Sequence, residues 1–142
     1  MKILVDTNVL IDFFARREPF FEDAEKIFEL CQKDFAEGVI ASHSIVNMAY
    51  ILRKKFTLDE LKKIFSRLCI IFKVESVDVE KIFRAIEDKD FKDFEDCLQL
   101  QCAINFDADY IVTRNVADFK SSKIPAITPQ DFLKLYSEKE VF

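Results

Sequence analysis

Lys2-Ile-Leu-Val-Asp6 runs straight into Thr7-Asn8-Val9-Leu10-Ile11-Asp12, and the hydrophobic pattern changes at the join. The first part is a short, continuous apolar run, the pattern of a strand buried on both faces of a parallel sheet. It stops at Asp6-Thr7-Asn8, after which Val9, Leu10, Phe13 and Phe14 take helical spacing. A buried strand that feeds directly into a helix is half of a βαβ unit.

The rest of the chain repeats the alternation. Beyond Pro19, placed to start a second helix, Phe20, Ala24, Ile27, Phe28 and Cys31 share one face of a 3.6-residue period. Gly38 reads as the turn or left-handed residue after that helix. Val39–Ala41 reads as a second strand, with Ser42 or Ser44 capping a helix through Ile45, Met48, Ala49 and Leu52. Thr57-Leu-Asp-Glu60 has the form of a capping box, followed by Leu61, Ile64, Phe65 and Leu68. Cys69–Val74 reads as a third strand, and Asp78 caps a helix carrying Val79, Ile82, Phe83 and Ile86. A charged segment precedes a helix from about Phe94 to Asn105. Tyr110–Thr113 reads as a fourth strand, Ala126-Ile127 as a short fifth, and Thr128-Pro129 opens a last helix. No hairpin signal interrupts the order, so the class is α/β, a parallel sheet with helices on both faces. No repeat, linker or low-complexity segment divides residues 1–142, which read as one domain.

Composition narrows the chemistry. One glycine in 142 residues excludes loops that cradle phosphate with backbone, such as dinucleotide fingerprints and Walker loops. The 21 basic and 26 acidic residues give a net charge of −5, which argues against broad electrostatic capture of nucleic acid but not against a local site. Cys31, Cys69, Cys97 and Cys102 form no CxxC pair and read as buried thiols of a reducing compartment. No apolar run reaches a membrane span and no cleavage-site pattern follows the N-terminal run, so a cytoplasmic protein is expected. Most of the 16 phenylalanines fall at helical spacing among apolar neighbours and read as core. Those on the first helices could instead serve a homodimer or a partner groove.

In an open parallel sheet, ligands sit beyond the carboxyl ends of the strands. The residues that land there are Asp6, the Ser42–Asn47 segment and Thr113–Asp118, joined by Asp93, Glu95 and Asp96 at a helix start. His43 is the sole histidine, with no nucleophile elbow, so covalent triad chemistry is out. What gathers is oxygen: Asp6, Asp93, Asp96 and Asp118 with Asn8, Asn47 and Asn115, a set suited to magnesium or manganese rather than zinc. Each residue has a plainer reading too. Asp6 and Asp93 can cap helices, and Asp96 can complement a helix dipole.

Taken together, Ile-Leu-Val-Asp6-Thr-Asn-Val-Leu-Ile-Asp12, Asp93-Phe-Glu-Asp96-Cys-Leu-Gln and Ala108-Asp109-Tyr-Ile-Val-Thr113-Arg-Asn115-Val-Ala-Asp118-Phe119 resemble the motifs of the PIN domain family. The resemblance runs through nearly the whole chain in order. It implies a three-layer α/β/α sandwich with a central, mostly parallel sheet. It also implies a Mg2+- or Mn2+-dependent endoribonuclease, as in the VapC toxins of toxin–antitoxin pairs, with RNA and a protein antitoxin as partners. Hydrolysis would leave a 5′-phosphate and a 3′-hydroxyl. On this resemblance Asp6, Asp96 and Asp118, with Asp93, are metal ligands. Asn115 stands where many members carry aspartate, Asn47 stands where the family places an acid, and Asn8 and Thr113 support. Two neutral residues in an acidic set lower the expected metal affinity. The alternative is therefore a weakly catalytic module that binds RNA or protein. Arg53, Lys54 and Lys55, with Arg114 near the mouth, are the candidate RNA contacts. A phosphatase of the haloacid dehalogenase type would need a second aspartate where Asn8 stands.

Overall fold

A computed structural model describes residues 1–140; Val141 and Phe142, the end of the expected domain, lie outside the described residues. The elements alternate as the pattern predicts. They are β1 (Lys2–Val5), α1 (Thr7–Phe14), α2 (Phe21–Gln32), β2 (Glu37–Ala41), α3 (Ser42–Leu52), α4 (Leu58–Ile71) and β3 (Lys73–Glu75). There follow α5 (Val79–Glu87), α6 (Phe94–Asn105), β4 (Tyr110–Val112), a 3₁₀ turn (Val116–Phe119), β5 (Ala126–Ile127) and α7 (Pro129–Glu140). The five strands form one sheet in the order β3-β2-β1-β4-β5. Every pairing is parallel, so the sheet is wholly rather than mostly so.

Strand side chains alternate between two cores, as a period of two requires. Ile3, Val5, Ile40 and Val112 meet Leu10, Phe28, Met48, Leu68 and Phe132 on one face. Leu4, Val39, Ala41 and Ile111 meet Leu100, Cys102, Ala103 and Phe119 on the other. The sheet is thus the middle of three layers. No helix of the described residues is long and apolar enough to cross a membrane.

Five local readings change, the first being that Cys69, expected as a buried thiol, is exposed while Cys31, Cys97 and Cys102 are buried. Cys69, Ile70 and Ile71 finish α4, and β3 is only Lys73–Glu75. The helix begun by the Thr57/Glu60 capping box continues until the amide of Phe72 bonds Leu68 O at 2.8 Å. An apolar run of that length fits a helix face as well as a strand. Gly38 lies inside β2 and has no left-handed φ; the left-handed turn after α2 belongs to Asp34, at φ 60°. A β-carbon on Gly38 would sit 2.6 Å from Cδ1 of Phe72 and 2.8 Å from Sγ of Cys31, so glycine is needed there for close packing. α2 begins at Phe21, past Pro19. α3 is entered from Ala41 with no side-chain cap: the Ser42 hydroxyl accepts from the Val77 amide at 3.0 Å, and Ser44 turns inward.

Candidate active site

The strand order reverses direction between β1 and β4, which places the crevice for a ligand beyond their carboxyl ends. Asp6 is the residue that leaves β1 there. Its amide bonds Val112 O on β4 at 3.0 Å, so the sheet itself fixes its backbone. Its side chain is fully engaged: Oδ1 accepts from the Thr7 amide at 2.7 Å, while Oδ2 accepts from Thr113 Oγ1 at 2.8 Å and Asn8 Nδ2 at 3.2 Å. Asp6 is therefore both the cap of α1 and a buried carboxylate, and the two readings of it coexist.

Asp96 comes from the opposite layer. Asp93 caps α6, its Oδ1 accepting from the Asp96 amide at 3.0 Å, and this sets Asp96 in the first turn of the helix. Asp6, Asn8, Asn47, Asp96 and Asn115 all line one cavity of about 550 Å³. Asp93, Asp96 and Asp118 line a second cleft of about 210 Å³, with Asp118 exposed on the 3₁₀ turn. Asp96 is the wall shared by both. Thr113 lies behind, completely buried: its hydroxyl donates to Asp6 Oδ2 at 2.8 Å and accepts from the Asn115 amide at 3.0 Å.

The electrostatics follow from this placement. Burial raises the Asp6 carboxyl to about 6; the Thr113 hydroxyl works against the rise and the charge of Glu95 adds to it. Asp96 is pushed up to about 7, first by desolvation and then by the charges of Asp93, Glu95, Asp6 and Asp118. Carboxyls that repel one another in this way hold protons near neutrality or attract a cation.

Two residues that the sequence brings to the crevice, without assigning them a role as ligands, take part in the site. Glu95 lines the larger cavity beside Asp6 and Asp96, and its Oε2 lies 2.7 Å from Nε2 of His43 on α3. A carboxylate only accepts, so His43 Nε2 carries the proton of that bond. Below it, the buried Gln99 amide donates to Thr7 Oγ1 at 3.2 Å and Ser44 Oγ at 3.0 Å, tying α6 to α1 and α3. The first turn of α6 offered Glu95 as a neighbour of two predicted acids. The helix phase that turns it to the cavity, and brings His43 to it from the other layer, is a tertiary fact.

Of the basic residues, Arg114 is committed within the fold. Its guanidinium clamps the buried Asp12, Nε to Oδ2 at 2.6 Å and Nη2 to Oδ1 at 3.2 Å, and stacks 4.1 Å from the Phe20 ring centre. Lys55 bonds Ala15 O at 2.8 Å, Arg53 lies over Tyr50, and Lys54 is exposed. Arg17, from the loop after α1, lines the large cavity.

The donors around the cavity are carboxylate and amide oxygens, which fit a hard cation such as Mg2+ or Mn2+. Among the described residues, no three Asp, Glu, His or Cys side chains converge closely enough to make a metal centre by themselves. That is compatible with Mg2+, which uses one or two carboxylates and completes its shell with water and phosphate.

The fold and cleft define a three-layer α/β/α protein with an acid-lined pocket at its topological switch point. A family described as the PIN domain matches residues 2–117, and the chain belongs to that family. It is 29% identical over 140 residues to Ribonuclease VapC1 of Aquifex aeolicus, with 96% of each protein covered. Its fold is similar to that of VapBC2 from Rickettsia felis, solved bound to a promoter DNA fragment (TM-score 0.69, 17% identity, 90% of this chain and 98% of the other). It is also similar to Mycobacterium tuberculosis VapC20, a sarcin–ricin loop cleaving toxin (TM-score 0.62, 14% identity, 77% and 86%).

Proposed function

We propose that the protein is a divalent-metal-dependent endoribonuclease and the toxin of a toxin–antitoxin pair. The observation that carries this reading is the cleft shared by Asp6 and Asp96, two carboxyls from opposite layers, both raised toward neutrality at the switch point of a PIN domain. The ribonuclease and toxin relatives support the activity, and the antitoxin complex of one of them supports the partner.

Asp6, Asp96 and Asn115, with Glu95 and the amide of Asn47, are the residues that would hold Mg2+ or Mn2+ against a substrate phosphate. Asp93 and Asp118 flank them from the second cleft. A cation bound there polarises the phosphate and makes a nearby water a stronger nucleophile. The chain's own contribution is positioning: Thr113 and Asn8 orient Asp6, Asp93 fixes the start of α6, and His43 holds Glu95. Water adds to phosphorus, the bond to the 3′ oxygen breaks, and that oxygen takes the proton. The expected assembly is a homodimer, and light scattering on the purified protein reads that state directly.

The test is cleavage of single-stranded and structured RNA in Mg2+ or Mn2+. Asp6→Asn and Asp96→Asn each lower the rate about 10²-fold or more, the scale of removing one preorganised electrostatic group. Cleavage unchanged by both substitutions overturns the reading. Robust RNA binding with no cleavage in either metal favours the weakly catalytic module, for which neutral Asn47 and Asn115 speak.

A further inference from the structure

We propose that Tyr50 is a stacking platform for a nucleobase of single-stranded RNA, seated at the rim of the acidic cleft. The inference rests on the reading of that cleft as one that takes an RNA phosphate.

Tyr50 lies on α3 one turn beyond Asn47 and lines the same cavity as Asp6, Asp96 and Asn115. Tyr50 is 67% exposed, far more than a packing role requires, and Val46, one turn earlier on the same cavity wall, is 68% exposed. The ring is held in place. The Arg53 guanidinium sits 3.9 Å from its centroid, and Arg53 Nη1 donates to the Tyr50 carbonyl at 2.5 Å. One face is therefore backed by a fixed cation, and the exposed remainder of the ring faces solvent beside the cleft.

A flat apolar ring next to a cation is matched to a base and its phosphate. Base–aromatic stacking tolerates any sequence because every base has a π-face, and arginine adds both cation–π and phosphate contacts. Arg17 on the same cavity offers a second cation to the strand. These charges favour a polyanion over an apolar helix, which would bury Arg17 and Arg53 without partners. In a duplex the base faces are already stacked, so the platform selects unpaired nucleotides. It also assigns a role within the basic segment, where Lys55 is engaged by the Ala15 carbonyl: Arg53 acts through Tyr50.

The measurement is binding of a short single-stranded RNA carrying 2-aminopurine, and of the same strand in a duplex. It is made in EDTA so that neither is cut, with anisotropy and 2-aminopurine fluorescence as readouts. Stacking of roughly 1–3 kcal/mol per base predicts that Tyr50→Ala weakens single-strand binding by roughly 5- to 150-fold. The same variant leaves duplex binding unchanged and abolishes the 2-aminopurine quench. Tyr50→Phe keeps both the affinity and the quench, and thermal melts check that both variants are folded. Single-strand binding unaffected by Tyr50→Ala overturns the proposal and leaves the ledge to a protein partner. Equal losses on single strand and duplex overturn it as well. Wild-type protein that binds neither RNA, with cleavage indifferent to Asp6→Asn and Asp96→Asn, removes the underlying reading instead.

Discussion

Asp6 closes the α1 N-terminus with one oxygen and accepts from Thr113 and Asn8 with the other, and burial raises its carboxyl against the pull of the Thr113 hydroxyl. The hydroxyl of Thr113 opposes the effect of burial, so Thr113→Val raises Asp6 still further above about 6. The expected result is an acidic limb of the pH–rate profile displaced upward, with activity lost more at pH near the Asp6 titration than well above it. Thr113→Ser, which keeps the donor, restores the profile; a profile that does not move in Thr113→Val refutes the coupling. Arg114 gives the opposite kind of residue-scale lesson. Its partner Asp12 is 1% exposed, so Arg114→Ala leaves an uncompensated buried charge and costs about 3–5 kcal/mol in urea unfolding. Weak RNA binding by that variant reports damage to the fold, and Arg114→Ala should not be read as loss of an RNA contact. A near-neutral urea midpoint would show that water reaches Asp12 and that the clamp is dispensable.

At the scale of elements, Gly38 tests the packing of β2 against α2 and the end of α4. Its missing β-carbon leaves room for the Phe72 ring and Cys31 Sγ, both in the core. Gly38→Ala overpacks this point and is expected to cost about 1–3 kcal/mol of stability by denaturant unfolding, without a change in metal or RNA affinity per folded molecule. The same position shows where sequence reading ran out. The caps at Thr57, Asp78 and Asp93 were legible because each is a contact between residues three apart. Strands β1 and β4 were legible because a strand buried on both faces has to be apolar throughout. Gly38 was misread because its reason is a side chain 34 positions away, and Cys69–Ile71 because an apolar run on a helix flank looks like a strand. The site divides in the same way. Asp6 and Asp96 were visible as acids at element ends, whereas the His43–Glu95 pair spans two layers that only the folded sheet brings together.

For the whole molecule, the raised carboxyls make stability depend on pH and on cation. Asp6 at about 6 and Asp96 at about 7 both lie above the ordinary value of 3.8, so between those limits the folded state binds more protons than the unfolded chain. Stability then falls as pH rises through this window, because the fold must carry charges it has desolvated and crowded together. The surface acids whose values are lowered by partners, Glu37 beside Lys73 and Asp78 at the α5 cap, start from ordinary values of 4.5 and 3.8 and so contribute the opposite slope only at the acidic end, below the range from pH 5.5 to 7.5. The cation reverses the trend, since it binds only the ionised pair. At one hundred times its dissociation constant a ligand adds about 2.7 kcal/mol. Thermal melts should therefore show a lower Tm at pH 7.5 than at pH 5.5 in EDTA. Mn2+ should raise the Tm by several degrees at pH 7.5 and little at pH 5.5. Asp96→Asn removes the charge repulsion, so in EDTA at pH 7.5 it melts above wild type and gains little from Mn2+. A wild-type Tm that ignores both pH and Mn2+ would mean that Asp6 and Asp96 neither repel across the cleft nor share a cation.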